Sequence, residues 1–394
     1  MNLTRRELRG RSPAWAFGAY AVMLGCAACS GPMQSPPAGT APISSVSVSC
    51  APATVAPGAT SQCSATVQGG SASSSAVTWS VTAGAISSSG VFTAPPAPGQ
   101  VTVKATSVQN NALSGTAAVT VAFMVAPSKH VVLMMEENQS YPTVVGNTTD
   151  WPHLNQLIGA GALATNYYAD SHPSIGNYFM LTTGQLVTTD DSSTQVWNVD
   201  NIARRMLAAG VSFKVYAEGI TQGYVGGDTG LYVIRHNPFA MLSDVAGNAQ
   251  VANQVIQPFS QFAADMANNA LPEFSYIVPN IDDDAHSGTP QAADTWLQDN
   301  VASLLAGNAN FKTGGDGLLI VDFDESVDAD TAYGGGHVAP VLWGPNVKAD
   351  YRQMSTTVYQ HESMLLTVMD ALGLANSPGA AATAPAMGEF FVQQ

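Results

Sequence analysis

Positive charge and long hydrophobic runs are both scarce in this sequence of 394 residues. Lysine and arginine total 13 against 28 aspartate and glutamate residues, which gives a formal net charge of −15. Because a nucleic-acid interface needs a basic stripe to replace the counterions of the phosphates, this balance argues against a nucleic-acid partner. No apolar run reaches the roughly 18 residues that cross a bilayer, so the sequence predicts no membrane-spanning helix. Its length suits two or three domains, and a hydrophobic fraction of 46% argues against wholesale disorder.

Residues 1–29 have the pattern of an export signal. Four arginines within the first eleven residues precede an apolar stretch at residues 14–25, which is too short for a membrane helix. The general secretory route and the twin-arginine route both remain open. Cys26 and Cys29 each follow small residues, as at a lipoprotein processing site, so we expect one of them to carry a lipid, with simple secretion as the alternative. Residues 30–43 are rich in proline, serine and glycine, which predicts a flexible linker.

Residues 44–123 consist of short alternating runs separated by glycine, proline and serine, which predicts a β-sandwich. The segment resembles bacterial immunoglobulin-like domains of group 2, on the Val-Thr-Trp-Ser motif at residues 77–80 and on residues 89–94. Cys50 and Cys63 would face each other on the first two strands. An exported protein meets an oxidising compartment, so we expect a disulfide between them. The segment has no cluster of histidine, aspartate or glutamate, and we expect it to act as a spacer or a weak adhesion module.

From residue 129 to residue 394 the pattern changes to that of an α/β domain. Continuous apolar runs are typical of strands buried on both faces, and segments with helical periodicity lie between them. Strands that alternate with helices predict a mostly parallel sheet sandwiched by helices. The predicted strands cover residues 130–135, 213–216, 274–278, 317–321 and 338–343, and the predicted helices cover residues 201–209 (capped by Asp200), 291–305 and 359–372.

Polar residues gather where three of these predicted strands end. Residues 136–141, 279–286 and 322–325 each follow a strand and are rich in carboxylate, amide or imidazole groups. In sheets of this kind, the active site lies outside the carboxyl ends of the strands. Oxygen ligands that meet at this edge predict a site for one hard divalent cation, and calcium and magnesium both suit it.

Ser174 is the candidate nucleophile. Pro173 precedes it, and a predicted helix begins there and runs through Asn177 to Leu181. A hydroxyl at this position would feel the positive end of the helix and its unpaired amides, which form a ready anion site. A metal ion on the same oxygen would lower its pKa further. The ordinary alternative for such a serine is a helix cap.

The motifs of this domain, in their order along the chain, resemble those of the phosphoesterase family of acid phosphatases and bacterial phospholipases C, within the alkaline-phosphatase-like superfamily. No G-x-S-x-G, H-E-x-x-H or Walker motif competes with them. The resemblance spans residues 130–375 and rests on Glu137-Asn138-Gln139-Ser140-Tyr141, His172-Pro173-Ser174-x-x-Asn177-Tyr178, Arg235-His236-Asn237-Pro238-Phe239, Asp324-Glu325, His337-Val338-x-Pro340 and Tyr359-Gln360-His361.

The resemblance implies a role for each matching residue. Ser174 would attack the substrate and take the phosphoryl group. The residues implied to bind a single metal ion are Glu137, Asn138, Asp324 and Glu325. The residues implied to hold the phosphate oxygens are Asn177, His236 and His286. His286 would also protonate the leaving alcohol.

Several residues near these motifs leave their roles open. We expect residues 282–284 to form a solvated acidic loop. Asp322 lies two residues before Asp324 on the same strand and is expected to support the metal ligands from behind. His337 and His361 are either metal ligands or buried structural histidines.

Together these features predict an exported, metal-dependent acid phosphatase that hydrolyses small phosphate monoesters through a phosphoseryl intermediate. Histidine binds phosphate best when protonated, so we expect an acidic optimum that is lost as the histidines deprotonate. The alternatives are a phosphodiesterase of the phospholipase C type and a surface binding protein with an inactive phosphoesterase domain. We expect a monomer in the periplasm, at the cell surface or secreted, which meets membranes only through an N-terminal lipid.

Overall fold

The computed structural model of the chain describes residues 42–69 and 75–393. The expected export signal at residues 1–29, with Cys26 and Cys29, and the linker up to residue 41 lie outside the described residues. Within them, no helix combines the length and the apolar character that crossing a membrane requires.

The N-terminal domain is a sandwich of two four-stranded sheets, as the alternating pattern predicts. Its strands are β1 (Ile43–Ala51), β2 (Thr54–Val55), β3 (Thr60–Gly69), β4 (Val77–Val81), β5 (Ala85–Ile86), β6 (Val91–Thr93), β7 (Gly99–Ser107) and β8 (Ser114–Val121). Their orders are β1-β3-β6-β5 and β2-β8-β7-β4, and Phe92, Val103 and Val119 are fully buried between the sheets. Cys50 and Cys63 lie opposite each other on β1 and β3, and the expected disulfide joins them.

The large domain contains one sheet of eight strands. In chain order they are β9 (His130–Glu136), β10 (Ala162–Leu163), β11 (Phe213–Ala217), β12 (Ile256–Pro258), β13 (Phe274–Val278), β14 (Gly317–Phe323), β15 (Val341–Trp343) and β16 (Tyr351–Arg352). The spatial order is β12-β11-β13-β9-β14-β15-β10-β16, and seven strands run one way while β15 opposes them. Because β9, β13 and β14 are buried along almost their whole length, both faces of this mostly parallel sheet are covered.

Helices connect and cover these strands. They are α1 (Tyr141–Val144), α2 (Pro152–Ala160), α3 (Ile175–Thr183), α4 (Ile202–Ala209), α5 (Ser243–Ala246), α6 (Ala249–Val255), α7 (Ser260–Ala267), α8 (Pro290–Leu297), α9 (Ser303–Gly307) and α10 (His361–Ala371). The predicted cap of α4 is wrong by one residue. Asn201 accepts the amide of Arg204 at 2.8 Å, whereas Asp200 pairs with the Arg205 guanidinium.

The predicted helix at residues 291–305 is interrupted. A π-helical segment, Gln298–Ala302, separates α8 from α9. There the side-chain amide of Asn300 donates to the Trp296 carbonyl at 3.1 Å, which is the acceptor that the Asn300 backbone amide would use in a regular α-helix. The helix is predicted from the spacing of its apolar residues, and that spacing gives no sign that a side-chain amide competes with a backbone amide for one carbonyl.

The pairing of β9 with β14 brings two of the predicted ligand segments together. Glu136 lies opposite Phe323, so Glu137 and Asp324 leave the sheet side by side. The Asp324 amide donates to the Glu136 carbonyl at 3.1 Å, and the Glu137 amide donates to the Asp284 carbonyl at 2.8 Å. The ends of β9, β13 and β14 therefore meet at one edge of the sheet, as the sequence predicts.

Candidate active site

Ser174 lies against two of the predicted metal-binding carboxylates. Its Oγ is 3.2 Å from Glu137 Oε2 and 3.3 Å from Glu325 Oε1, and its side chain is buried. Ser174 occupies the N-cap position of α3 but makes no capping hydrogen bond. Asp191 Oδ1 instead accepts the Ile175 amide at 3.0 Å. The hydroxyl is therefore free of the capping role and faces the carboxylates.

The expectation of unpaired amides at the start of α3 is wrong. Besides the Ile175 amide, which Asp191 accepts, the Gly176 amide donates to the Pro173 carbonyl, and the Asn177 amide donates to the Ser174 carbonyl at 2.9 Å. The turn before the helix is tight enough to supply acceptors for its own first amides. The helix dipole still favours negative charge at Ser174, but these amides are not open donors for a phosphate.

The predicted metal ligands form a buried and strongly acidic group. Glu137 and Asp324 are fully buried, and Glu325 is 3% exposed. Burial raises the pKa of Glu137 and of Asp324, and burial together with the charge of Asp324 raises the pKa of Glu325 to about 9. Carboxylates in this arrangement are stable in their charged forms only beside a compensating cation.

Two side-chain oxygens of this group are suited to a cation. Asn138 Oδ1 and Asp324 Oδ2 are buried and have no hydrogen-bond partner among the described residues. Asn138 has a left-handed backbone (φ 52°). Its backbone amide donates to Asp324 Oδ1 at 3.2 Å, which holds the two residues together. Buried oxygen acceptors without donors, beside mutually repelling carboxylates, fit a hard divalent ion such as calcium or magnesium.

His236 lies beside the Glu137 oxygen that Ser174 does not contact. Its Nε2 is 3.1 Å from Glu137 Oε1, its Nδ1 is 3.0 Å from Asp284 Oδ2, and the Tyr178 hydroxyl also donates to Glu137 Oε1. Burial lowers the pKa of His236 to about 3 and raises that of Asp284 to about 7, so the imidazole is neutral in this environment. The expected solvated loop at residues 282–284 is wrong at its last residue, because Asp284 is 1% exposed.

His286 lies at the edge of the site and is half-buried. Its Nε2 is 3.2 Å from Arg235 Nη2, and its Nδ1 is 3.0 Å from Ser287 Oγ. An arginine can only donate, so Nε2 accepts and the ring carries its proton on Nδ1. Burial, His236 and Arg235 all lower the pKa of His286. Its role as the acid for the leaving alcohol stays a prediction, which requires the Arg235 contact to be released.

Asn177 is buried beneath the turn before α3. Its Oδ1 accepts the amides of Asp170 and Ser171 at 2.9 and 3.0 Å, and its Nδ2 donates to the Ser171 carbonyl at 2.8 Å. The side chain therefore braces this turn. The predicted phosphate contact of Asn177 stays a prediction and would use the remaining Nδ2 hydrogen.

His337 and His361, for which the sequence leaves two roles open, both make structural contacts. His361 Nε2 lies 2.7 Å from the Asp324 carbonyl, and its Nδ1 lies 3.5 Å from Asp322 Oδ2. Although burial opposes the charged ring, the hydrogen bond to Asp322 raises the pKa of His361 to about 9. His337 stacks on Tyr141 with ring centroids 4.3 Å apart. Asp322 thus supports the ligand segment through His361.

His172 and Arg235 lie within the sequence motifs but carry no predicted role. His172 Nδ1 is 2.8 Å from Glu325 Oε2, and its Nε2 is 2.9 Å from the Asp330 carbonyl, so it fixes the orientation of Glu325. Among the residues that the structure describes, two clusters of acidic and histidine side chains are close enough to hold an ion, and each shares one residue with the predicted metal set. They are Glu137, His236 and Asp284, and His172, Glu325 and Asp328.

Known proteins resemble this chain over the large domain. The model of the phosphoesterase family matches residues 147–375, and that of the bacterial Ig-like domain (group 2) matches residues 42–117. The phosphatidylinositol-3-phosphatase of Mycobacterium tuberculosis is 29% identical over 235 residues, which cover 58% of this chain and 75% of that protein. A probable acid phosphatase of Kluyveromyces lactis is 30% identical over 256 residues, which cover 62% of this chain but only 58% of the fungal protein.

Among solved structures, a protein in the alkaline phosphatase superfamily from Vibrio parahaemolyticus has 13% sequence identity and a TM-score of 0.43, covering 66% of this chain and 71% of that chain. A likeness of this degree adds nothing to the topology described above. The family match, by contrast, covers more than half of the sequence. The chain therefore belongs to the phosphoesterase family, hydrolases that act on phosphate esters, and carries a bacterial Ig-like domain of group 2 at its N-terminal side.

Proposed function

We propose that this chain is an exported, metal-dependent acid phosphatase that hydrolyses phosphate monoesters through a phosphoseryl intermediate. The observation that carries the proposal is the position of Ser174, whose buried hydroxyl contacts Glu137 and Glu325 and caps no helix. Fungal relatives named acid phosphatase support the monoester reaction. The disulfide between Cys50 and Cys63 supports export, since such bonds persist in oxidising compartments.

The residues that would hold the divalent ion are Glu137, Asn138, Asp324 and Glu325. When bound, the ion would neutralise the buried carboxylates and lower the pKa of a hydroxyl beside it. Its identity within the class of hard divalent cations is open, because oxygen ligands suit calcium and magnesium alike.

The chain's own residues would carry out the transfer in two steps. In the first, the Ser174 oxygen bonds to phosphorus while the bond from phosphorus to the ester oxygen breaks. The serine proton passes to a carboxylate that Ser174 contacts, and the leaving alcohol takes a proton from His286. In the second, the oxygen of a water molecule bonds to phosphorus and gives one proton to His286, while the bond from phosphorus to the Ser174 oxygen breaks. Ser174 recovers its proton from the carboxylate, and inorganic phosphate leaves. His236 and Asn177 are the proposed contacts of the phosphate oxygens.

Hydrolysis of p-nitrophenyl phosphate at about pH 5.5 by the mature protein tests this proposal. We expect activity that a chelator removes and that added calcium or magnesium restores. Ser174→Ala should lower kcat by at least about a thousandfold, because the nucleophile is lost. Ser303→Ala, which removes an exposed hydroxyl on α9, is the matched control and should act like wild type. Full activity of the Ser174→Ala protein would contradict the proposal.

The same assay separates the two alternatives. Hydrolysis of bis(p-nitrophenyl) phosphate without hydrolysis of the monoester would identify a diesterase of the phospholipase C type. A wild-type protein that hydrolyses neither ester and binds no divalent ion would fit a surface binding protein with an inactive domain.

A further inference from the structure

Arg235 joins the edge of the site to the start of α3. Its Nη2 is 3.2 Å from His286 Nε2, and its Nε is 3.7 Å from Asp191 Oδ2. The other oxygen of Asp191 accepts the Ile175 amide, one residue after Ser174. Arg235 Nε is buried and has no hydrogen-bond partner among the described residues. The guanidinium therefore lies beside the reaction site with donor capacity that the protein leaves unused.

The net charge of the site makes the position of Arg235 important for an anionic substrate. Glu137, Asp324 and Glu325 carry three charges when ionised, so one divalent ion leaves an excess negative charge that repels a phosphate. The sequence has nine lysine and arginine residues after the first eleven positions. Within residues 42–69 and 75–393, Arg235 is the one whose charged group contacts a predicted site residue.

In the observed arrangement His286 adds no positive charge, because its Nε2 accepts a hydrogen bond from Arg235 and therefore carries no proton. A guanidinium stays charged at every physiological pH. A phosphate oxygen is a stronger acceptor than a neutral imidazole nitrogen, so a bound substrate would compete for the Arg235 donor and free His286 Nε2.

Given the proposed function, on which this rests, we infer that Arg235 binds the non-bridging oxygens of the substrate and selects dianionic phosphate monoesters over monoanionic diesters. A monoester has one more free oxygen than a diester and, above its second pKa of about 6, one more negative charge. The benefit of a nearby permanent cation is therefore larger for the monoester.

The test compares kcat and KM for p-nitrophenyl phosphate and bis(p-nitrophenyl) phosphate among wild type, Arg235→Gln and Arg235→Lys. Arg205→Gln is the matched control, because Arg205 pairs with Asp200 beside α4 and contacts no predicted site residue. We expect Arg235→Gln to lower kcat/KM for the monoester by about 10- to 100-fold, mainly through KM, as for loss of a charged hydrogen bond. The diester should change by less than about threefold, and Arg235→Lys should be intermediate.

An equal loss for both esters, or no loss for the monoester, would overturn the inference. Calorimetric titration with inorganic phosphate keeps the inference separate from the proposed function. A wild-type protein that hydrolyses no monoester, yet binds phosphate more tightly than Arg235→Gln does, would support the role of Arg235 and contradict the proposed reaction. Equal phosphate affinity of the two proteins, each with a wild-type unfolding temperature, would contradict the role of Arg235.

Discussion

Hydrogen bonds among the neighbouring side chains determine what the Ser174 hydroxyl contacts. Asp191 accepts the first amide of α3, so the serine is not held as a cap. His172 fixes one oxygen of Glu325, and the Tyr178 hydroxyl fixes one oxygen of Glu137. The remaining carboxylate oxygens point at Ser174. Because a helix cap and a helix-start nucleophile share the same sequence position, only these contacts distinguish the two.

The pKa of His286 leads to a prediction about how kcat depends on pH. Its pKa lies below the ordinary value of 6.5 because burial and the charge of Arg235 disfavour the imidazolium. A step that needs protonated His286 is therefore favoured in acid and lost as the pH rises through a midpoint below 6.5. We expect kcat for p-nitrophenyl phosphate to fall along this alkaline limb.

The variant His286→Gln should lower kcat by about 100-fold or more and abolish this limb. His130→Gln is the control, since His130 begins β9 at the end remote from Glu136 and pairs with Asp316. A pH profile of kcat measured for all three proteins checks the prediction. An unchanged limb in His286→Gln would show that another group titrates.

At the level of helices and strands, the sequence predicts the parallel sheet and the edge at which its polar ends meet. Apolar runs identify β9, β13 and β14, and their register then places Glu137 beside Asp324. Contacts that depend on loop conformation are beyond such patterns. Asp284 reaches His236 from a loop in which Ala285 has a φ of 71°, and no periodicity reveals that path. Counting charges shows that basic residues are few, but it does not show that Arg235 lies beside the site.

A C-terminal element gives a stability prediction. Glu389, in a short helical turn (Gly388–Phe390), is 3% exposed and accepts hydrogen bonds from Tyr351, Ser355 and Tyr359. Although burial opposes ionisation, these donors lower the pKa of Glu389 below 4.5. Its contribution to stability is therefore present above the unfolded-state pKa and is lost as the pH falls through the folded-state pKa.

Glu389→Gln should lower the free energy of unfolding by about 1–3 kcal/mol at neutral pH, because an amide nitrogen then faces a hydroxyl donor. The deficit should be smaller at acid pH, below the ordinary glutamate value of 4.5, where wild type loses the ionised carboxylate as the pH falls through the folded-state pKa. Urea unfolding at both pH values provides the measurement. The surface variant Asp299→Asn should stay within about 0.5 kcal/mol of wild type at both. A deficit of Glu389→Gln that is the same at both pH values would contradict the assigned ionisation.

For the molecule as a whole, the Ig-like domain and the candidate active site occupy separate parts of the chain. The Ig-like domain contributes none of the predicted site residues, and its core is independent of the large one. The segment after β8 is tied to the C-terminus, since the Met124 amide donates to the Gln393 side chain at 2.8 Å. If the expected N-terminal anchor is present, the Ig-like domain would act as a spacer between that anchor and the large domain.

Trapping the covalent intermediate tests the role of Ser174 in this enzyme. Wild type would be quenched in acid during turnover of p-nitrophenyl phosphate, and the peptide that contains Ser174 would be examined by mass spectrometry. We predict a phosphoryl group on Ser174, and no trapped phosphoryl group in Ser174→Ala. An active wild-type protein with no phosphorylated Ser174, or with the phosphoryl group on another serine or threonine, would contradict the assigned nucleophile.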